Sequence, residues 1–408
     1  MSGHRTRASV QDGSQRSRIC FVVSSPMTVE AFLIDHIRAL SERYEVHLAL
    51  NAPPDSVTHP ALRKITVHRV PIERAISPIA DLRALVHLVQ LLRAAGFSAV
   101  HSVTPKAGLL VALAAFAART PVRVHTYTGQ VWATRSGAGR RLLRLLDTVI
   151  ARLDTHVLVD SATQRDFLRA QGVLRTGEGE VLANGSVCGV DAERFRPDPA
   201  SRAAIRDELG VPASGLVYLF VGRLNRDKGV LDLAGAFAAV AHERADVYLV
   251  YAGPDEEALE PRIRTQCGEA ASRVRFVSWT DAPERYMAAA DVFCLPSYRE
   301  GFGAVIIEAA AAGLPAIGSR IYGIVDAIDE GSTGLLFAGG NVAELTAAME
   351  RLAANEGLRR NMGDAARARA LQAFSRTTLT AALVSFYKRI LPGTKDAPRQ
   401  GEPRARFD

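Results

Sequence analysis

The chain has 408 residues, too many for one ordinary domain and suited to two of roughly 150 to 200 residues each. A composition that is 48% hydrophobic and 23% charged excludes a disordered chain, and four cysteines far apart (Cys20, Cys188, Cys267, Cys294), with no C-x-x-C pair, argue against a disulfide framework or a zinc site. The net charge of +7 is uneven: residues 1–190 carry 23 Lys/Arg against 14 Asp/Glu, the remainder 27 against 29. A basic first half points to an anionic partner, and because its cations are scattered without interleaved aromatics, that partner is not expected to be nucleic acid.

In chain order, residues 1–17 are polar and basic, lack the apolar core of a signal peptide, and are expected to be disordered. Short apolar runs then alternate with longer helical ones. Strands are expected at 18–24, 44–50, 65–70, 97–103, 121–127 and 154–160, with helices near 29–43, 77–95, 106–118, 138–153 and 161–171. This first domain is read as 18–183. The longest apolar stretch, "GLLVALAAFAA" (108–118), is too short to span a bilayer, so a cytoplasmic protein is expected, at most resting on the inner face of a membrane. Residues 184–200, rich in Gly, Asp and Pro, read as an interdomain connection. A second series follows over 201–375, with strands at 215–224, 245–253, 272–279, 290–297, 314–319 and 333–337. Its helices are expected near 229–243, 303–312, 341–354 and 356–373. A last helix (376–391) is expected to pack back towards the first domain, and the tail 392–408 to be disordered.

Such alternation predicts an α/β chain of two Rossmann-like βαβ domains whose parallel sheets face a cleft. Ligands of such sheets bind beyond the carboxyl ends of strands, so motifs just after strands carry the chemistry. "FVGRLNRDKGV" (220–230) sets Arg223 and Lys228 on a loop leading into a helix, which makes a plausible diphosphate clamp; a solvated loop is the plainer reading. It lacks the G-K-[ST] ending of a P-loop, and no G-x-G-x-x-G follows either first strand, which argues against kinases, ATPases and dinucleotide oxidoreductases.

"SYREGFGAVIIEAAAAG" (297–313) places Glu300 in a loop and Glu308 in the following helix. Eight residues of continuous helix span about 12 Å with an offset of about 80°. That exceeds the carboxylate separation of about 5 to 9.5 Å of a glycosidase pair. The free N–H groups of Gly301, Phe302 and Gly303 suit hydroxyl or phosphate oxygens.

"GRLNRDKG" with "PSYREGFGAVIIEAAAAGLPAIGS" resembles the carboxy-terminal half of the retaining glycosyltransferases of family 4, which have the GT-B fold and an E-x7-E signature matched by Glu300 and Glu308. "TPKAGLL" (104–110), "RVHTYTGQVWATRSG" (123–137) and "NGSVCGVDAERFRP" (184–197) are similar to members that build bacterial surface polysaccharides such as lipopolysaccharide or capsule, or lipid-linked glycans. The resemblance implies that Arg223 and Lys228 neutralise the diphosphate of a nucleotide-sugar donor, with UDP the expected nucleotide. Glu308 would hold the ribose, Glu300 with Gly301, Phe302 and Gly303 the sugar, and Ser278, Trp279 and Thr280 the base. Arg223, Lys228 and Glu300 are then the catalytic residues, and neither metal nor cofactor is implied.

On the acceptor side the resemblance points to Thr128 and Gly129, with Lys106 and His125 nearby. Many relatives have a histidine where Thr128 stands; His125 lies at a strand end, where core packing is its plainer role. The first loop, "SSPMTVEAF", also lacks the double glycine common in relatives. The acceptor is expected to be a glycan, carried on a lipid. Arg135, Arg140, Arg141, Arg144 and Arg152 flank an apolar stripe of Leu142, Leu146, Val149, Ile150 and Leu153, which reads either as a surface for anionic lipid or as an ordinary amphipathic helix. An epimerase on the same fold would need no acceptor surface, and a non-catalytic sugar-nucleotide-binding subunit would not need the intact charged set.

Overall fold

A computed structural model describes residues 16–53, 59–73 and 77–391. Residues 1–15 and the tail 392–408 lie outside the described residues, but Ser17, placed by the sequence in the disordered segment, accepts a backbone hydrogen bond from Glu45.

The first sheet is built from β1 (Arg18–Val22), β2 (Glu45–Leu50), β3 (Thr66–Arg69), β4 (Ala99–Val103), β5 (Val122–Tyr127), β6 (His156–Val159) and β7 (Glu180–Val181). All pairings are parallel, in the order β3-β2-β1-β4-β5-β6-β7. The helices of this half are α1 (Pro26–Phe32), α2 (Ile34–Ser41), α3 (Pro78–Ala95), α4 (Pro105–Ala118), α5 (Gly137–Leu153) and α6 (Ala162–Ala170). Alternate residues of β1 feed opposite faces, as a pleated strand requires. Ile19 and Phe21 join the cluster under α1 and α2, whereas Cys20 and Val22 pack under α3 and α4. A strand buried on both faces has no polar side, which is why its sequence is a continuous apolar run.

The second half adds α7 (Pro199–Glu208), β8 (Leu216–Val221), α8 (Val230–Glu243), β9 (Val247–Ala252), α9 (Glu260–Cys267), β10 (Val274–Val277) and α10 (Pro283–Ala289). Then come β11 (Val292–Leu295), α11 (Ala304–Ala311), β12 (Ala316–Ser319), α12 (Ile324–Ala327), β13 (Gly334–Phe337), α13 (Val342–Ala354), α14 (Glu356–Ala373) and α15 (Arg376–Ile390). Its sheet is also parallel, in the order β10-β9-β8-β11-β12-β13. Two parallel Rossmann-like sheets in one α/β chain are the expected architecture.

The differences from expectation are local. The helix expected near 29–43 is two, α1 and α2, meeting at Leu33. Helices α7, α9 and α10 were not among the expected elements, and each has proline in its first turn. Proline there costs no hydrogen bond and presets the backbone, so the residue that breaks a helix interior starts these three.

Two segments cross between the halves and run together. Val190 in the connector exchanges backbone hydrogen bonds with Phe374 (2.8 Å) and Arg376 (3.0 Å) at the start of α15. Arg376 then bridges Asp35 of α2 (3.2 Å) and Asp191 (3.1 Å). Beyond it, α15 lays Leu383, Phe386 and Tyr387 into the cluster under β1.

Candidate active site

In the second sheet the strand order reverses between β8 and β11, and the loops leaving those two strands converge there. The loop after β8 carries Arg223 and Lys228; the loop after β11 carries Glu300. Asn225 accepts the Lys228 N–H (3.2 Å) and starts a tight turn closed by Gly229 at φ +67°. An added Cβ at Gly229 would lie 2.0 Å from the Pro296 carbonyl oxygen, so only glycine lets the two loops touch. Across that contact the Lys228 ammonium meets Glu300 Oε1 at 2.5 Å, and the Ser297 hydroxyl donates to the same oxygen at 2.9 Å. Arg223 is held instead by Glu256, at 2.8 and 3.1 Å. Each expected clamp cation therefore rests on a carboxylate.

Glu300 and Glu308 face different surroundings. Glu300 lies against Lys228 and the loop of the first domain that carries Thr128 and Gly129; a Cβ on Gly129 would sit 3.2 Å from the Gly301 nitrogen. Glu308, one turn into α11, is half-buried, and burial pushes its carboxyl up to about 7 against the pull of the Arg194 and Arg376 guanidiniums. Those two arginines, with Cys188 and Asp191, line a cavity of about 430 Å³ between α1–α2 and the connector. Arg194 also reaches across to the Asp281 carbonyl (2.5 Å) and to Glu284 (2.9 Å), just beyond the expected base-binding stretch. In that stretch Ser278 and Trp279 are exposed, and the Thr280 hydroxyl accepts from the Ala282 N–H (3.1 Å). The Phe302 side chain is core, packed on Phe374 at 5.2 Å and edging Gly185 of the connector. Gly303, at φ +84°, turns the chain into α11.

The acceptor-side residues separate. The Thr128 carbonyl accepts from Gln130 (2.7 Å) and Gln164 (2.5 Å), which holds the Thr128–Gly129 loop against Gly301. Lys106 is paired with Asp81 at 2.5 Å. His125, grouped with the acceptor side by the sequence, is instead interior: it is 1% exposed, hydrogen-bonded to Ser102 (2.8 Å) and pressed on Gly108. Burial drives it down to about 3, so it is neutral and has no path to a ligand in the cleft. On α5 the expected stripe is divided. Ile150 is buried, Leu153 packs into the core, Leu146 and Val149 are half-buried, and Leu142 points outward together with Leu145, which the stripe did not include. Arg140 is taken up by Gln171 (3.0 Å) and the Trp132 ring, and Arg152 by Glu178 (3.2 Å).

Several residues at the cleft carried no motif. Asp160, directly after β6, is buried, its Oδ1 has no hydrogen-bond partner, and its Oδ2 packs on Gly301. Burial and the nearby Glu300 push it up to about 8. Beside it the Ser161 hydroxyl donates to the Gly301 carbonyl (3.0 Å), and Thr163 pairs with Asp326 and takes the Gly323 N–H (2.9 Å). Phe167 stacks on Tyr322 at 4.4 Å. The start of α6 thus seats the first domain directly on the loop that carries Glu300. The one available signal was position: Asp160 is the polar residue at the carboxyl end of an apolar strand.

Residues 29–185 match the glycosyl transferase 4-like domain, and residues 201–369 match the glycosyl transferases group 1 family. The chain is 27% identical over 329 residues to the capsular polysaccharide biosynthesis glycosyltransferase CapM of Staphylococcus aureus, covering 79% of this chain and 85% of that one. It is 37% identical over 213 residues to a D-inositol 3-phosphate glycosyltransferase of Saccharomonospora viridis, about half of each chain (49% and 48%). Its fold is similar to that of Anabaena HepE, solved with UDP and glucose, with a TM-score of 0.76 at 22% identity over 91% of this chain and 100% of that one.

Proposed function

The chain is a GT-B glycosyltransferase, a glycosyl transferase 4-like domain followed by a group 1 domain, and we propose that it transfers a sugar, with retention, from a nucleotide-diphosphate sugar to a hydroxyl of a glycan acceptor. The observation that carries this reading is the convergence of Lys228 and Glu300 at the strand-order reversal, with Glu308 one turn into the helix that follows, under the charge of Arg194 and Arg376, which line a separate pocket. One carboxylate then serves the sugar end and the other the ribose end of a single donor. UDP, which the Anabaena relative carries, is the proposed nucleotide. The acceptor is proposed to be a lipid-linked glycan of a surface polysaccharide pathway, met at the inner face of a membrane; no helix among the described residues is long and apolar enough to cross one.

In the reaction, the acceptor oxygen bonds to the anomeric carbon on the face from which the diphosphate departs. The bond from that carbon to the phosphate oxygen breaks, and the acceptor proton passes to the departing oxygen. Arg223 and Lys228, released from Glu256 and Glu300, hold the charge that develops, so no metal is required in this scheme. Ser278–Thr280 would meet the base through backbone groups, and the Thr128–Gly129 loop would border the acceptor. Replacing Arg223 with Ala is expected to lower transfer by a hundredfold or more, on the order of the loss of one oxyanion donor. Sugar transfer from a panel of nucleotide sugars, with linkage read by NMR, measures it; near-normal turnover rejects the assignment.

A further inference from the structure

The two cations proposed to hold the diphosphate are each met by an acid, and the two pairs differ in depth. Lys228 and Glu300 are 20% and 14% exposed, whereas Arg223 and Glu256 are 41% and 30% exposed. Glu300 is proposed to serve the sugar; Glu256, in the loop after β9, has no such task.

That loop is built to lie along the clamp. Gly253 brings it so close that an added Cβ would sit 2.0 Å from the Gly222 carbonyl oxygen. Leu224 then donates to the Pro254 carbonyl (2.9 Å) and accepts from the Glu256 N–H (3.2 Å), which bridges the two loops in parallel. Asp255 turns away to cap α9, taking the Leu259 and Glu260 N–H groups at 2.8 and 2.9 Å. The next two acids face the clamp loop. Glu256 takes Arg223 and the Asn225 amide (3.2 Å), and Glu257 takes Arg226 (3.3 Å). All of these contacts lie within the second half, so Glu256 stays beside Arg223 whether the halves are together or apart.

Charge decides what Glu256 does there. Every cation of the clamp loop is matched, Arg223 by Glu256, Arg226 by Glu257 and Lys228 by Glu300. A nucleoside diphosphate is a polyanion, so it has to take Arg223 from Glu256 and then sit beside the displaced carboxylate. The same competition opposes the donor on entry and favours departure of the spent diphosphate. A grip shared equally by donor and product lowers KM without raising turnover, and product release limits many enzymes.

We propose that Glu256 is a release residue: it occupies Arg223 in the empty site, yields it to the diphosphate, and reclaims it as the product leaves. It thereby sets the residence of the spent nucleoside diphosphate and leaves the chemical step alone. The proposal rests on the reading of Arg223 as a diphosphate clamp and adds a part for a carboxylate that touches no sugar.

Calorimetric titration of the full chain with UDP, together with single-turnover transfer, tests it. Glu256→Gln keeps the side-chain shape and an acceptor for Asn225 but removes the charge. UDP should then bind about fivefold more tightly, the reach of a half-exposed ion pair, and inhibit transfer at a proportionately lower concentration. The single-turnover rate should stay within about twofold of the unaltered chain. The gain in affinity should shrink at high salt and should mostly vanish in an Arg223→Ala background. Glu256→Asp, which restores the charge, should bring UDP affinity back towards that of the unaltered chain. Thermal melts check that each variant folds. Weaker UDP binding in Glu256→Gln would make Glu256 a support for the loop and overturn the proposal; so would unchanged affinity in Glu256→Gln while Arg223→Ala loses UDP, an outcome that leaves the clamp standing. If Arg223→Ala itself binds UDP normally, the clamp reading falls and the proposal with it.

Discussion

Asp160 is the residue whose placement has the clearest consequence for pH. In water its carboxyl titrates near 3.8; packed on Gly301 beside Glu300 it rises to about 8, through burial first and the neighbouring charge second. Separating the two halves would return Asp160 to water, where it sheds the proton it holds between them, so the packed arrangement is expected to be most favoured below the lower value and progressively less so between about 4 and about 8. Replacing Asp160 with Asn, which cannot ionise, should flatten that dependence and keep the domains together at pH 8. Small-angle scattering across this range reads the outcome, and an unaltered slope in the Asn variant assigns the dependence elsewhere. The same scale shows how little of the site a motif conveys. Glu300, Glu308, Arg223 and Lys228, the residues proposed to hold the donor, stand out in the sequence because their spacing and position after strands mark them. Asp160, Glu256 and Arg194 do not, because each acquires its neighbours only across loops distant in sequence.

At the scale of elements, the glycines of the loop after β11 set how closely the halves approach. Gly301 has no left-handed backbone to explain it; its constraint is the other domain, since a Cβ there would meet Asp160 Oδ2 at 2.6 Å and the Gly129 nitrogen at 2.9 Å. Gly301→Ala is therefore expected to fold normally, bind free nucleotide in the second domain, and transfer sugar about a hundredfold more slowly, because the reacting groups no longer come into register. Steady-state transfer together with calorimetric nucleotide binding checks it, and a parallel loss of both would point to a local defect in the loop. Gly229 differs: its φ of +67° and a Cβ 2.0 Å from the Pro296 carbonyl combine backbone strain with a clash inside one domain. Alanine there should cost stability as well as activity, by about 2 kcal/mol or more, visible as a lower urea midpoint. The helices themselves were mostly readable from apolar periodicity. Three short helices opened by proline, α7, α9 and α10, were not, whereas α3 and α4, which also begin with proline, were legible from their long apolar runs.

For the whole molecule, α15 ties the end of the chain to its beginning. Phe386 and Tyr387 belong to the core cluster of the first sheet, and the Tyr387 hydroxyl meets His101 at 3.0 Å. Phe386→Ala should therefore cost about 3 to 5 kcal/mol in the first domain, although the residue follows the second in sequence. Trp132 lies buried in the first half and Trp279 is exposed in the second, so quenching separates their fluorescence and urea melts can report the halves independently. Equal destabilisation at both probes would mean that the halves unfold as one unit.

The sequence by itself determined the α/β class and two parallel-sheet domains, and it singled out the four charged residues proposed to hold the donor. Those features are local, because strand burial, helix period and loop position repeat over a few residues and are legible in one chain. The tertiary structure decided which groups meet. Strand order brought Lys228 to Glu300 across 72 positions, domain packing set Ser161 on Gly301 across 140, and the sheet chose which side of α5 faces out. Such proximities arise from the order of strands and the seating of one domain on another, and a local pattern carries no record of either.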